Sequence, residues 1–169
     1  ERGRGGRGAV ICFAVGNDAL DIDDPPRSLE GFALSEDVMA VSACTSLDEP
    51  TSYANFGDRV FIAAPSSGAG GDVITCDLRC ADRGFTPDDY NLHFGGTSAA
   101  CPIVAGVAAL VLSANPDLTS AEVRALIART ARQTGPSGSA EEVPRASFVS
   151  GIPNRITDFT PSANSAAVS

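Results

Sequence analysis

The chain has no tryptophan and a single histidine, His93. One imidazole excludes a histidine-rich metal site and leaves acid–base chemistry short of its usual agent near neutral pH. Basic residues are scarce as well: 12 Lys and Arg face 21 Asp and Glu, for a net charge of −9. A phosphate-binding face needs the opposite balance, which argues against a nucleic-acid partner. The surplus of carboxylates favours a soluble, self-repelling surface, a cationic partner or bound cations. Long apolar runs are also missing. The most apolar stretch, Ala99–Leu112, is about 14 residues, short of the roughly 20 that span a bilayer, and it contains Pro102. It reads as a buried helix rather than a membrane span.

What is there suffices for one modest core: 169 residues, 43 % of them hydrophobic. The five cysteines are an odd number, so at least one is free or pairs outside the chain. Cys12, Cys44 and Cys101 lie in apolar runs, where a reduced cysteine acts as a small hydrophobe. Cys76 and Cys80 form the one plausible local disulfide, and they offer too few ligands for zinc. The start at Glu1 and the Arg/Gly-rich opening suggest a processed or truncated chain.

Three continuous apolar runs, Ala9–Val15, Val38–Ala43 and Val60–Ala64, read as strands buried on both faces. Asp18–Gly31 is an acidic, proline-containing loop, Pro65–Gly71 a turn, and Cys76–Phe94 a polar loop. Thr97–Ser113 predicts a helix that is apolar all round and therefore central, with Pro102 in its tolerant first turn. Thr119 and Glu122 form a capping-box pattern ahead of a second helix. Strands alternating with helices imply an α/β fold. Two units follow: residues 1–134 form a domain portion, and the Gly/Ser/Pro-rich residues 135–169 complete or trail it.

Chemistry concentrates in two segments. In Phe94-Gly-Gly-Thr-Ser-Ala-Ala-Cys-Pro102, Ser98 opens a buried helix, beside unpaired N–H groups and the positive end of the dipole. An oxyanion formed there would be stabilised; equally, Ser98 could be a plain N-cap. In Phe13-Ala-Val-Gly-Asn-Asp18 a strand ends at Asn17, where open parallel sheets bind ligands and where an Asn can also simply make a turn. Gly3-x-Gly5-x-x-Gly8 precedes a strand instead of following one, so it is no dinucleotide fingerprint. The G-x-S-x-G elbow of lipases lacks its last glycine at Ala100.

Together GTSAACPIVAGVAAL and FAVGND resemble the serine and oxyanion-asparagine segments of subtilisin-like serine proteases, and SYANFGDRVFIAAPSSG between them is similar too. The resemblance spans about Arg7–Arg132. It implies the C-terminal part of a three-layer α/β fold, with a mostly parallel sheet and a central buried helix after the serine. Ser98 would be the nucleophile, Asn17 the side-chain oxyanion donor and Gly16 a substrate-lining position. In that family the Asp and His of the triad lie upstream of the Asn, and residues 1–16 contain neither. They are therefore expected from an N-terminal segment or chain, without which an apolar sheet edge would stay exposed. His93 matches no catalytic position and reads as a solvated or loop-stabilising residue.

The loops look most like the kexin-like and related bacterial branch. That likeness implies Glu30 at the base of the pocket reading a Lys or Arg before the cleaved bond, against a plain solvated acid in an acidic loop. It implies no cofactor for the chemistry and a structural Ca2+ near Asp21, Asp23 and Asp24, with Asn55 standing where the family has a further acid. The alternative there is a solvated acidic loop. Arg2, Arg4 and Arg7 would suit self-cleavage by such a protease, or would end a helix begun upstream. The other functional class is a non-catalytic remnant serving as a binding or assembly module; retention of both Ser98 and Asn17 favours the enzyme.

Overall fold

The computed structural model describes residues 3–24, 31–79 and 83–133, and the short strand Ser147–Phe148. Three parallel strands form the frame: β1 (Cys12–Ala14), β2 (Met39–Cys44) and β3 (Ile62–Pro65). Next come the antiparallel pair β4 (Val73–Cys76) and β5 (Tyr90–Phe94), then α1 (Thr97–Ala114) and α2 (Ser120–Thr130). β6 (Arg132–Gln133) and β7 (Ser147–Phe148) follow among the described residues. β7 lies parallel to β3 and antiparallel to β6, so the main sheet runs β1-β2-β3-β7-β6.

β2 is buried on both faces, as its unbroken apolar run predicts. Met39, Val41 and Ala43 face α1 and α2 in one cluster with Ile62, Ala64, Ala100, Val104, Ala108, Val123 and Ile127. Ala40 faces the other way, against Val15, Ile22 and Ala33. The alanines of α1 are small enough to bring its axis close to the sheet, where larger side chains would overpack the core.

β1 is not buried on both faces: Phe13 is 39 % exposed and stacks on Phe32 at 5.3 Å. It is the edge strand, with a neighbour on one side only among the described residues. α1 is not covered all round either. Its buried face is Thr97, Ala99, Ala100, Val104 and Ala108, while Leu110 on the far side is 59 % exposed. With 18 residues and a mean hydropathy of 1.9 it is apolar enough, and at the lower limit of length, to cross a membrane, yet in this fold it packs on the sheet. Apolar composition set its hydropathy; the sheet supplies a cover for one face.

The polar loop expected over Cys76–Phe94 is in part a hairpin. β-branched Val73-Ile74-Thr75 pairs with Tyr90–Phe94 across a bulge, and Asp77 holds the connection by accepting the Leu78 and Thr86 N–H groups at 2.8 Å each. Those bonds pull its carboxyl below the usual range. α2 begins with the predicted capping box: Glu122 N–H donates to Thr119 Oγ1 and Thr119 N–H to Glu122 Oε2. The opening segment is docked on the α1–α2 connection. Arg7 pairs with Asp117 at 2.8 Å, Arg4 donates to the Pro116 carbonyl, and Ser120 N–H donates to the Arg7 carbonyl. Glu30, Cys80 and most of the tail fall outside the described residues.

Candidate active site

The carboxyl ends of β1 and β3 and the N-terminus of α1 meet at one place. The turn Gly95-Gly96 enters α1 there, with Gly96 as N-cap in the left-handed region at φ 78°. Glycine suits it twice over, because a Cβ on Gly96 would also lie 3.2 Å from both polar atoms of the Asn17 carboxamide. The turn is pinned from β3: Ser66 Oγ donates to the Gly96 carbonyl at 2.7 Å, and Gly96 N–H donates to Ser67 Oγ.

Ser98 therefore sits one residue inside the helix, exposed, and makes no capping bond. The N-cap reading of Ser98 is set aside, since Gly96 holds that position without any side-chain cap. The first-turn N–H groups have no intrahelical acceptor of their own. Thr97 N–H goes to Asn17 Oδ1 at 2.8 Å, and the Ala99 and Ala100 N–H groups turn back to the Gly96 carbonyl. Ser98 N–H is left without an acceptor among the described residues.

Asn17 is fixed from its oxygen. Oδ1 accepts from Thr97 N–H and lies 3.2 Å from the Thr97 hydroxyl, which also accepts the Gly16 N–H at 3.2 Å. With the oxygen engaged, the NH2 end has no acceptor among the described residues and lies 3.2 Å from the point a Gly96 Cβ would occupy. Gly16 has spent both backbone groups, its N–H on Thr97 and its carbonyl on the Asn55 N–H, so it can offer a substrate only surface.

His93 lies on β5, its side chain 81 % exposed, with Nδ1 2.9 Å from Asp72 Oδ2. Cys12, Cys44, Cys76 and Cys101 are free. Burial, with Cys101 nearby, pushes the Cys12 thiol up to about 11; burial and then Asp48 push Cys44 up to about 12; burial raises Cys101. Raised in this way, the three thiols stay protonated near neutral pH.

Asp21 and Asp23 converge over Gly57. Asp23 Oδ2 lies 2.5 Å and Asp21 Oδ1 2.8 Å from the point a Gly57 Cβ would occupy. Asp23 is also paired with the Arg59 guanidinium at 3.3 Å. Among the described residues no group of three or more acidic, His or Cys side chains gathers. Asn55, standing where the family has a further acid, is buried and bonded to backbone groups of Val15, Asp18 and Leu20. The sequence marked Asn55 only as standing where the family has a further acid, and its bonds to a segment some 40 residues away leave no local pattern.

The Subtilase family model (Peptidase_S8) matches residues 1–151. The chain belongs to the subtilase family. A calcium-dependent protease from Nostoc sp. is 39 % identical to this subtilase segment over 150 residues, covering 81 % of it and 22 % of that protein. Furin-like protease 1, isoform 1-CRR, of Drosophila melanogaster is 30 % identical, covering 78 % of this chain and 11 % of its own length. Protease KEX1 of Kluyveromyces lactis is 33 % identical, covering 79 % and 16 %. The subtilase segment thus spans about a fifth or less of these relatives. A solved protease from Pseudoalteromonas arctica superposes with a TM-score of 0.57 at 28 % identity, covering 75 % of this chain and 37 % of that one. A lanthipeptide protease at 22 % identity and a TM-score of 0.60 shares the fold. The α/β architecture is that of the subtilases.

Proposed function

We propose that this subtilase segment is the serine-bearing part of an endopeptidase that works only with an upstream segment supplying Asp and His. Ser98 Oγ attacks the scissile carbonyl and gives its proton to the incoming histidine, whose orientation the aspartate holds. The carbonyl oxygen becomes an oxyanion that accepts from Asn17 Nδ2 and the Ser98 N–H. Collapse expels the amine, which takes the proton from the imidazolium, and leaves an acyl-Ser98 ester; water reverses the steps. The observation that carries this reading is the Asn17–Thr97 hydrogen bond, which ties the carboxamide to the residue before Ser98. Supporting the need for a second segment, the one histidine is engaged with Asp72 on a separate hairpin, and the β1 edge and the outer face of α1 are exposed.

Cleavage after basic residues is part of the same proposal. Its support is the net charge of −9 and the printed names of relatives, a furin-like protease and a dibasic-processing endoprotease. Glu30 is the residue assigned to read the Lys or Arg. A structural Ca2+ belongs here too: relatives are named calcium-dependent proteases, and Asp21 and Asp23 offer two converging hard-oxygen donors. Arg59 is paired with Asp23 at 3.3 Å and would share that carboxylate with the ion.

The test is peptide hydrolysis by the chain joined to its upstream segment. Ser98→Ala should abolish it. Asn17→Ala should lower kcat about 10²–10³-fold with little change in KM, as for the loss of one oxyanion donor. Full activity in either variant contradicts the proposal.

A further inference from the structure

We propose that Asn55 is a positioning residue that sets the direction of Asn17 by clamping the backbone on both sides of it; this rests on Asn17 being the oxyanion donor. Asn55 is 1 % exposed. Its Oδ1 accepts from Asp18 N–H at 3.0 Å and Leu20 N–H at 2.9 Å, and its Nδ2 donates to the Val15 carbonyl at 2.7 Å. Its own N–H donates to the Gly16 carbonyl at 3.1 Å, and its carbonyl receives the buried Ser42 hydroxyl at 2.9 Å. Apart from Ser42, the partners are residues 15, 16, 18 and 20. Asn17 itself is skipped.

The segment needs such a clamp. Gly16 has φ 95° and Ala19 has φ 53°, so the chain reverses through two left-handed residues around Asn17. Such a conformation in a non-glycine residue persists only when its surroundings over-determine it. The flanking bonds, Ala19 N–H to the Tyr53 carbonyl and Phe56 N–H to the Leu20 carbonyl, extend the same ladder. A carboxamide is the side chain that can accept two N–H groups and donate to a carbonyl from one position. An aspartate would bury a charge against the Val15 carbonyl, and an alanine would leave three backbone groups unpaired.

A filler asparagine would support stability alone. A positioning asparagine acts through Asn17, and kinetics separates the two. In the protease complete with its upstream segment, kcat and KM are measured for Asn55→Ala, Asn17→Ala and the double variant, together with amide hydrogen exchange of Asp18 and Leu20. Asn55→Ala should lower kcat roughly tenfold or more, approaching the loss of an oxyanion donor, with KM nearly unchanged. The double variant should match Asn17→Ala, because the clamp has nothing left to aim. Exchange at Asp18 and Leu20 should rise. Unaltered exchange, or a double variant that loses the full product of both effects, overturns the assignment. Unchanged activity of Asn17→Ala would sink the oxyanion reading, and the exchange result would still decide the clamp. If Asn55→Ala does not fold, Asn55→Ser undergoes the same measurements with the same criteria.

Discussion

The Thr97 N–H reaches Asn17 Oδ1 at 2.8 Å across 80 residues of sequence. The bond joins the carboxyl end of β1 to the first turn of α1, and it engages the carboxamide oxygen, which in the proposed mechanism leaves the NH2 group for the oxyanion. The Thr97 hydroxyl, 3.2 Å from the same oxygen and bonded to Gly16 N–H, reinforces the alignment.

Thr97→Val should therefore lower kcat about tenfold with KM little altered, since the backbone bond survives while the hydroxyl is lost. Thr97→Ser should keep most of the activity. Equal kcat in Thr97→Val and the parent would refute the alignment role.

Gly96→Ala should impair both folding and turnover. The new Cβ needs φ 78° and meets the Asn17 carboxamide at 3.2 Å. Thermal unfolding should shift downward by several degrees, as a destabilisation of about 1–2 kcal/mol does in a domain of this size. An unchanged melting temperature would mean that the turn is free to relax.

Thiol reactivity should follow burial. At pH 8, a thiol held near 11 is about 0.1 % thiolate and reacts slowly. Iodoacetamide should label the exposed Cys76 well ahead of Cys12, Cys44 and Cys101 in the folded protein. Comparable rates at all four, read by peptide mass mapping, would contradict the packing of the core.

The cap of α2 should be acid-sensitive. Hydrogen bonds from the Thr119 backbone and hydroxyl pull the Glu122 carboxyl below its usual value. A depressed carboxylate contributes stability above its unfolded value near 4.3, and that contribution is lost as pH falls through the lower folded value. Glu122→Gln should therefore weaken the chain at neutral pH and differ little from the parent in strong acid. A constant difference across that range would exclude the linkage.

Much of the frame was legible in advance because β2, β3 and both helices each carry a strong local signal: an unbroken apolar run, or a Thr119/Glu122 cap ahead of Val123 and Ile127. The β4–β5 hairpin was not, since its pairing is interrupted by a bulge and its connection is laced with Asp and Pro. The exposed side of α1 was hidden for a different reason: composition reports how apolar a helix is, and Leu110 looks the same whether or not a partner covers it. At the site, Ser98 and Asn17 each had a bland local reading, and only the likeness to a family joined them. Asn55 gave no local sign at all. Its importance lies in whom it bonds, which is a property of the tertiary fold.

The most direct measurement of the central claim is fluorophosphonate labelling, with the adduct mapped by mass spectrometry. The chain joined to its upstream segment should be modified at Ser98, and the chain alone should not, because the probe needs a base beside the hydroxyl. Labelling that misses Ser98 in the joined protein, or that is equally strong in the isolated chain, would contradict the account.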